Sequence, residues 1–505
     1  MKVYLAGFNV DASVLQELEE SCGKRQDLTP EVISAAYARI SRDPRPINEI
    51  RQMARVEVER SRKSNSTIIF KMGHHSVAEH AVFNLDILGV SRYAMEELEK
   101  FRLSSYTEKS QRYITLDKDF VIPSEIKGSD LEKLFVATIK EQNKAYFELY
   151  EKLKEHVFNK HPDLASDPKK HNLLEGWAKE DARYITALAT ESQVGQTINA
   201  RNLELMLRRF ASSGLSEINT LGRMIYDEIS QVAPSIVIFH EANDRDLKTY
   251  PQLKTVTDTL LSSANLKESS PSESLVQLVE FNKDTDALIA AALLHTCSNI
   301  TYEQCREVVG KLTHRQLKKV FDTAYKNMQF YDSMLREFEY ANLTYNIVLS
   351  AACFGQMKRH RMSTITTQRY DPNLGATIPE SIEEVGMKGK FLEIVDRTNE
   401  TYGKLCKKQP LIAPYILTNA HRRRILMRLN PRELYHISRL REDTHAQWDI
   451  QNVSRQMSAE ARRVMPLTFS LVGGKDQYND LYQDVFGQLP KITKAALPGT
   501  RKISN

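Results

Sequence analysis

The chain contains two copies of one sequence pattern, and this repeat constrains its fold more than any other feature. The copies keep the same order while the separation between them shortens, as expected of an old duplication whose second copy lost loop residues. The paired stretches are Val3–Asp11 with Val276–Asp284, Ser110–Tyr113 with Thr367–Tyr370, and Ile198–Phe210 with Leu429–Arg441. A polar stretch rich in Ser, Pro and Lys separates the copies. We therefore predict a first repeat over residues 1–244, a linker over 245–274 and a second repeat over 275–505.

Each copy carries the same local patterns. Residues 83–87 and 343–347 alternate apolar and polar side chains, which predicts half-buried strands. Long helical patterns cover residues 129–158 and 311–338. We therefore expect an α+β fold in which each copy is a mostly helical unit around a small antiparallel sheet.

Composition excludes several classes of protein. With 505 residues and 41% hydrophobic content the chain can bury more than one core, and a net charge of +5 is too small to attract phosphate without local clusters. Its 5 cysteines form no CxxC pair, which favours reduced thiols over a disulfide framework. The apolar run near the first residue is too short for a signal peptide, and no apolar run reaches the length of a membrane span. We expect a cytoplasmic protein without a membrane segment.

The stretch "KRHRMSTITTQRY", residues 358–370, is dense in groups that bind anions. An imperfect copy, "KFRLSSYTEKSQRY", spans residues 100–113. Both follow a predicted helix, where basic side chains suit the negative pole of the dipole. A charged helix end is therefore the simpler interpretation, and an anion site is the functional one.

A second basic segment follows in copy two. Asn430 and Pro431 predict the N-cap and first turn of a helix over residues 431–445. On such a helix Arg432 shares a face with His436, whereas Arg441 and His445 share another. This favours a helix between two ligand surfaces at a subunit interface, although a surface helix with scattered charges remains open. Nucleic-acid binding is disfavoured because acidic residues interrupt the stripe.

The stretch "GHHSVAEHA" at residues 73–81 suggests a metal site at first sight. Its spacing matches neither of the helical zinc patterns HExxH and HxxEH, so we predict no metal. His, Ser and Glu side chains before a strand can equally form hydrogen bonds with a bound cofactor.

These segments together resemble the flavin-dependent thymidylate synthase family. The resemblance rests on "GHHSVAEHAVFNLDILGVSRY", "SSYTEKSQRY" and "EDARYITALATESQVGQTINARNLE" in copy one, and on "KRHRMSTITTQRY" and "LNPRELYHISRLREDTHAQWDI" in copy two. The family signature is RHR, seven residues, then Ser. Neither copy has it whole, because copy one lacks RHR and copy two is two residues shorter before Thr367.

The two copies have lost different parts of the family pattern. Copy one has Phe101 where copy two has His360, and Phe210 where copy two has Arg441. Copy two has Pro414 at the position of Arg183. Because each copy keeps what the other lost, we predict one composite site for each pair of copies.

The resemblance also implies roles for individual residues. It implies Arg441 as the catalytic residue. The residues implied in cofactor binding are His74, Ser76, Glu79, Arg359, His360, Arg361, Asn430, Arg432, His436 and His445. Those implied in substrate binding are Gln356, Arg359, Glu108, Ser110, Arg112, Arg183 and Arg441.

The activity implied by the resemblance is C5 methylation of dUMP to dTMP. Methylenetetrahydrofolate would donate the carbon, FAD would be the cofactor and NADPH the reductant. Family sites lie between chains, so a homodimer shaped as a pseudo-tetramer is implied. Two alternatives stay open: an inactive homologue that binds nucleotide or flavin, and a C5-methylase of another uridine nucleotide.

Overall fold

The computed structural model describes residues 9–23, 28–39, 43–67, 69, 74–111, 119–264 and 274–491. The chain forms two compact units. Unit 1 comprises Met1–Lys144, Thr186–Glu268 and Asp396–Leu417, and unit 2 comprises Ala145–Ile185, Ser269–Val395 and Thr418–Asn505. Each unit therefore contains one segment from the other half of the sequence. We call Asp396–Leu417 and Ala145–Ile185 the exchanged segments.

Unit 1 is built on a three-stranded antiparallel sheet in the order β1-β3-β2. Its strands are β1 Val82–Ser91, β2 Ser104–Glu108 and β3 Glu191–Asn199. A bulge in β1 coincides with Gly89, whose φ of 73° suits glycine. The helices of this unit are α1 Ala12–Cys22, α2 Glu31–Arg39, α3 Ile47–Val56, α4 Val58–Ser66, α5 Arg92–Leu98, α9 Ala200–Ala211, α10 Ser216–Val232 and α11 Asp244–Ser263.

Unit 2 is built on a four-stranded antiparallel sheet in the order β4-β5-β7-β6. Its strands are β4 Val276–Phe281, β5 Leu343–Ser350, β6 Thr364–Tyr370 and β7 Arg422–Leu429. The helices are α7 Pro162–Ala165, α8 His171–Ala182, α12 Thr285–Thr296, α13 Tyr302–Gly310, α14 His314–Tyr325, α15 Ala351–Met357, α16 Glu380–Glu384, α18 Pro431–Arg441, α19 Trp448–Val464 and α20 Tyr478–Phe486. Two long helices, α6 Asp130–Lys160 and α17 Lys388–Lys408, each have residues in both units.

The core of unit 2 brings helix α19 against strand β5. Tyr345 and Ile347 of β5 and Met457 of α19 are fully buried in one apolar cluster. The Tyr345 hydroxyl donates to the Met457 carbonyl oxygen at 3.0 Å, which satisfies a buried polar group. This packing holds the middle of α19 against β5.

The sequence predicted the fold class correctly, and both strand predictions fall inside observed strands, β1 and β5. The predicted helix over 311–338 is wrong beyond Tyr325, where α14 ends. Carbonyl groups in the following segment accept hydrogen bonds from distant side chains, Met328 from Tyr478 and Asp332 from Arg439. Tertiary contacts therefore override the helical pattern there.

Two further predictions need correction or refinement. Helix α18 ends at Arg441 rather than at residue 445, so Arg441 and His445 do not share a helical face. The predicted linker contains most of α11, whose Asp246 is buried and accepts from Arg209 at 2.6 Å. Among the described residues, no helix combines the length and the hydropathy that a membrane crossing requires.

Candidate functional site

The RHR stretch forms a turn at the end of helix α15 in unit 2. The backbone N–H of His360 donates to the Met357 carbonyl oxygen at 3.1 Å, which turns the chain after the helix. The His360 side chain lies inside the unit, with 3% exposure, whereas Arg359 and Arg361 on either side of it are exposed. The turn therefore presents two guanidinium groups around a buried imidazole.

Arg441, at the end of α18, is held by this turn. Its Nε donates to His360 Nε2 at 2.9 Å, and its Nη2 donates to the Gln356 carbonyl oxygen at 3.3 Å. Burial, together with the Arg441 charge, lowers the pKa of His360 well below its usual range. The imidazole is therefore neutral, and since Nε2 accepts, its proton is on Nδ1.

Glu433 of α18 faces the other side of this imidazole. Its Oε1 lies 3.8 Å from His360 Nδ1, and burial raises the pKa of Glu433 to about 7. Neither of these two buried atoms has a hydrogen-bond partner among the described residues. Polar atoms buried in this way are unusual in a native structure unless a ligand or water satisfies them.

The exchanged segment Ala145–Ile185 brings Arg183 into unit 2. Its Nε donates to the Glu180 carbonyl oxygen at 3.2 Å, and its own carbonyl oxygen accepts from Asn419 at 3.1 Å. Burial raises the pKa of the Cys353 thiol, whereas the charges of Arg441 and Arg183 both act to lower it. Both guanidinium groups are thus within electrostatic reach of one buried thiol.

A chain of hydrogen bonds connects these two regions of unit 2. Gln356 Nε2 donates to Gln447 Oε1 at 3.3 Å, and Gln447 Nε2 donates to the Tyr184 hydroxyl at 2.8 Å. Tyr184 in turn donates to Asp449 Oδ2 at 2.9 Å. The backbone of Gln356 also accepts from Arg441, so the chain runs from Arg441 to the residue next to Arg183.

The equivalent positions in unit 1 are apolar. Phe101 and Phe210, at the positions of His360 and Arg441, pack edge to face with ring centroids 5.9 Å apart. An aromatic pair therefore replaces the imidazole–guanidinium pair. Pro414 stands at the position of Arg183 and lies in the exchanged segment of unit 1. These three positions of unit 1 offer no charge to an anion.

Other predicted residues of copy one lie in unit 1. Glu108 accepts from Arg92 at 2.9 Å in a buried ion pair, and Ser110 is half-buried. His74 and Ser76 are exposed, and Glu79 pairs with Arg201. Arg112 is outside the described residues. The structure thus gathers Gln356, His360, Arg183 and Arg441 in unit 2 and leaves Glu108 and Ser110 in unit 1.

The remaining predicted residues follow helix α18. Asn430 caps the helix, as predicted, by accepting from the Glu433 N–H at 2.9 Å. Arg432 donates to Glu339 at 3.0 Å and to the Met334 carbonyl oxygen, so protein atoms already hold it.

Two histidines are more accessible. His436 is exposed, with its ring 5.8 Å from that of His360. His445 pairs with Asp443 at 2.8 Å and has a largely exposed side chain. Within the described ranges, no group of three or more His, Cys, Asp or Glu side chains is arranged to hold a metal ion.

Sequence reasoning missed the buried residues that connect the site. Tyr184, Gln447, Asp449 and Glu433 were not predicted, although all four lie within the motifs that carry the family resemblance. Polar residues in the first turn of α19 are a usable signal, because buried polar groups there need partners. The contribution of Tyr184 to unit 2 depends on the segment exchange, which no local pattern encodes.

The residues around the RHR turn fit a bound flavin dinucleotide. Arg359 and Arg361 are exposed, planar donors of the kind that bind pyrophosphate oxygens. The unsatisfied Nδ1 of His360 and Oε1 of Glu433 offer a donor and an acceptor to a polar ring system. The donor set therefore suits an anionic, polar cofactor.

Comparison with known proteins identifies the family to which this chain belongs. A family model described as "Thymidylate synthase complementing protein" matches residues 25–235 and 277–467, once in each half. The chain belongs to this family, that of the flavin-dependent thymidylate synthases. The resemblance found in the motifs is thereby confirmed, and the two matches agree with a tandem duplication.

Three relatives differ in how much of the chain they share. A flavin-dependent thymidylate synthase of Clostridium tetani is 30% identical over 210 residues, 41% of this chain and 80% of the relative. One from Pyrococcus abyssi is 36% identical over 144 residues, 28% of this chain and 51% of the relative. A UPF0159 protein of Chlamydia muridarum is 24% identical over 419 residues, 79% of this chain and 78% of the relative.

Proposed function

We propose that this chain is a flavin-dependent thymidylate synthase that methylates dUMP at C5 and has one composite site, in unit 2. One observation carries the proposal: Arg183 from the first repeat and Arg441 from the second lie in the same compact unit, and the charges of both act to lower the pKa of the Cys353 thiol. The exchange of segments thus compensates for the complementary losses in the two copies.

In this proposal the two arginines act on different parts of the nucleotide. Arg183 presents a guanidinium fork to the dianionic phosphate. Arg441 is too basic to serve as a base, but it stabilises negative charge that develops on the uracil. Its hydrogen bonds to His360 and Gln356 fix the guanidinium before the substrate binds.

The proposed cofactor is FAD, held by Arg359, His360 and Arg361. Bound in its reduced form, FAD supplies the hydride for the new methyl group. A neutral His360 adds no charge next to Arg441 and leaves Nδ1–H as a donor. NADPH as reductant, methylenetetrahydrofolate as carbon donor, a cytoplasmic location and a homodimer complete the proposal.

The direct test is formation of dTMP. Purified protein with FAD, NADPH, methylenetetrahydrofolate and dUMP should produce dTMP, detected by chromatography. Omitting either FAD or the folate should stop it. Protein that binds FAD and dUMP yet forms no dTMP under anaerobic conditions would contradict the proposal.

A second candidate is a homologue that binds nucleotide without turnover. The buried ion pair between Arg92 and Glu108 favours this second candidate, because the pair occupies the Glu108 carboxylate that the resemblance implies in substrate binding. A protein of this kind would bind dUMP in a titration but form no product in the dTMP assay.

A further inference from the structure

A tyrosine from each exchanged segment makes the same buried contact in its unit. In unit 2, Tyr184 and Ser350 both donate to Asp449 Oδ2, at 2.9 and 2.6 Å. In unit 1, Tyr415 donates to Glu217 Oε2 at 2.6 Å, and Ser91 donates to the same oxygen at 2.7 Å. Each serine also caps the helix after the first long strand of its half, so the two contacts are structurally equivalent.

The backbone around the two tyrosines is equivalent as well. The Tyr184 carbonyl oxygen accepts from the Ala420 N–H at 2.9 Å in unit 2. The Tyr415 carbonyl oxygen accepts from the Ala189 N–H at 2.8 Å in unit 1. The tyrosine–carboxylate–serine contact therefore attaches an exchanged segment to its unit in both cases.

The two contacts differ in the other hydrogen bonds that the tyrosine hydroxyl makes. In unit 2 the Tyr184 hydroxyl also accepts from Gln447, whose other amide atom accepts from Gln356. Leu215 occupies the position before the first turn of α10 that Gln447 occupies before α19. A leucine side chain cannot relay a hydrogen bond, so within the described residues the relay that starts from Tyr184 has no equivalent at Tyr415.

We propose that Tyr184 is a positioning residue that aligns Arg183 with Gln356 and Arg441 through Gln447. The inference rests on the proposed function, because it takes these residues as ligands of dUMP. Tyr184 is the chain neighbour of Arg183, so fixing its ring fixes the backbone from which Arg183 projects. Gln447 accepts a hydrogen bond from the Gln356 side chain, which fixes Gln356 relative to Tyr184. The Gln356 carbonyl oxygen in turn accepts from Arg441.

The burial of the relay makes it sensitive to the loss of one atom. Gln447 and Tyr184 are both fully buried. Tyr184→Phe removes the acceptor of the Gln447 amide and leaves that amide without compensation from water. Gln447 can then turn away from Gln356. Arg183 and Arg441 are then no longer held in a fixed position relative to each other.

The matched experiment compares Tyr184→Phe with Tyr415→Phe. Calorimetric titration of the FAD-loaded protein with dUMP should show an affinity loss of roughly three- to tenfold for Tyr184→Phe, the size expected for one buried neutral hydrogen bond. Tyr415→Phe should bind dUMP like the unmodified protein, although its melting temperature should fall by about as much as that of Tyr184→Phe.

A second variant separates positioning from general destabilisation. Gln447→Leu should cost the same affinity, and the double variant with Tyr184→Phe should lose no more than either single variant, because both break one relay. Additive losses, or equal losses in Tyr184→Phe and Tyr415→Phe, would overturn the inference. Unmodified protein that binds no dUMP would overturn the proposed function, and this inference with it.

Discussion

Replacing Arg441 with alanine should lower the rate of dTMP formation by roughly a hundred- to a thousandfold, as loss of a preorganised charge-stabilising donor does in other enzymes. Arg441 is held by His360 and Gln356, so alanine removes both the charge and its fixed geometry. The rate should be measured at saturating dUMP, so that weaker binding does not contribute.

The control for this variant is Phe210→Leu. Phe210 occupies the equivalent helix position in unit 1 and packs on Phe101. Its replacement should change stability but leave the rate within about twofold, because a small apolar repacking removes no charged or polar group of the proposed site. Arg441→Ala that turns over at the unmodified rate would exclude this residue as the charge stabiliser.

Arg183→Ala should weaken dUMP binding by roughly ten- to a hundredfold, the value of a lost charge-assisted contact with phosphate. Its effect should couple with that of Arg441→Ala, because both residues are proposed to bind one nucleotide. The measurement is a double-mutant cycle of dUMP dissociation constants, in which the coupled pair departs from additivity.

Pro414→Ala provides the comparison in the other repeat. Pro414 stands where Arg183 stands in copy one, and it lies in unit 1. We expect unchanged dUMP affinity for this variant. The account would be contradicted if the affinity losses of the two arginine variants were additive and spectroscopic probes reported separate sites. Arg183 and Arg441 would then not bind the same nucleotide.

Local features of this fold were predictable from the sequence. The alternation at Phe83–Ile87 and Leu343–Ile347 marked strands, and Asn430 marked the start of a helix, because these signals depend on neighbouring residues alone. The end of α18 at Arg441 was not predictable in the same way. Glu442 beyond it is buried and accepts from Ser454 and Ser458, so a distant helix determines where the chain leaves α18.

The sequence predicted candidate site residues, but it did not show how the fold brings them together. The complementary substitutions at His360, Arg441 and Arg183 indicated a composite site. That Phe101 and Phe210 contact each other, as His360 and Arg441 do, required the structure. Which unit receives Arg183 depends on contacts such as Asn419 with its carbonyl oxygen, 236 positions along the chain.

Flavin stoichiometry tests the central claim, one composite site per chain, most directly. Spectroscopic titration of the purified protein with FAD, with light scattering for its mass, should show a homodimer that saturates at about one FAD per chain. Arg361→Ala should weaken FAD binding by roughly ten- to a hundredfold, whereas Lys100→Ala at the degenerate copy should not. Saturation at two FAD per chain, or equal losses in the two variants, would contradict the account.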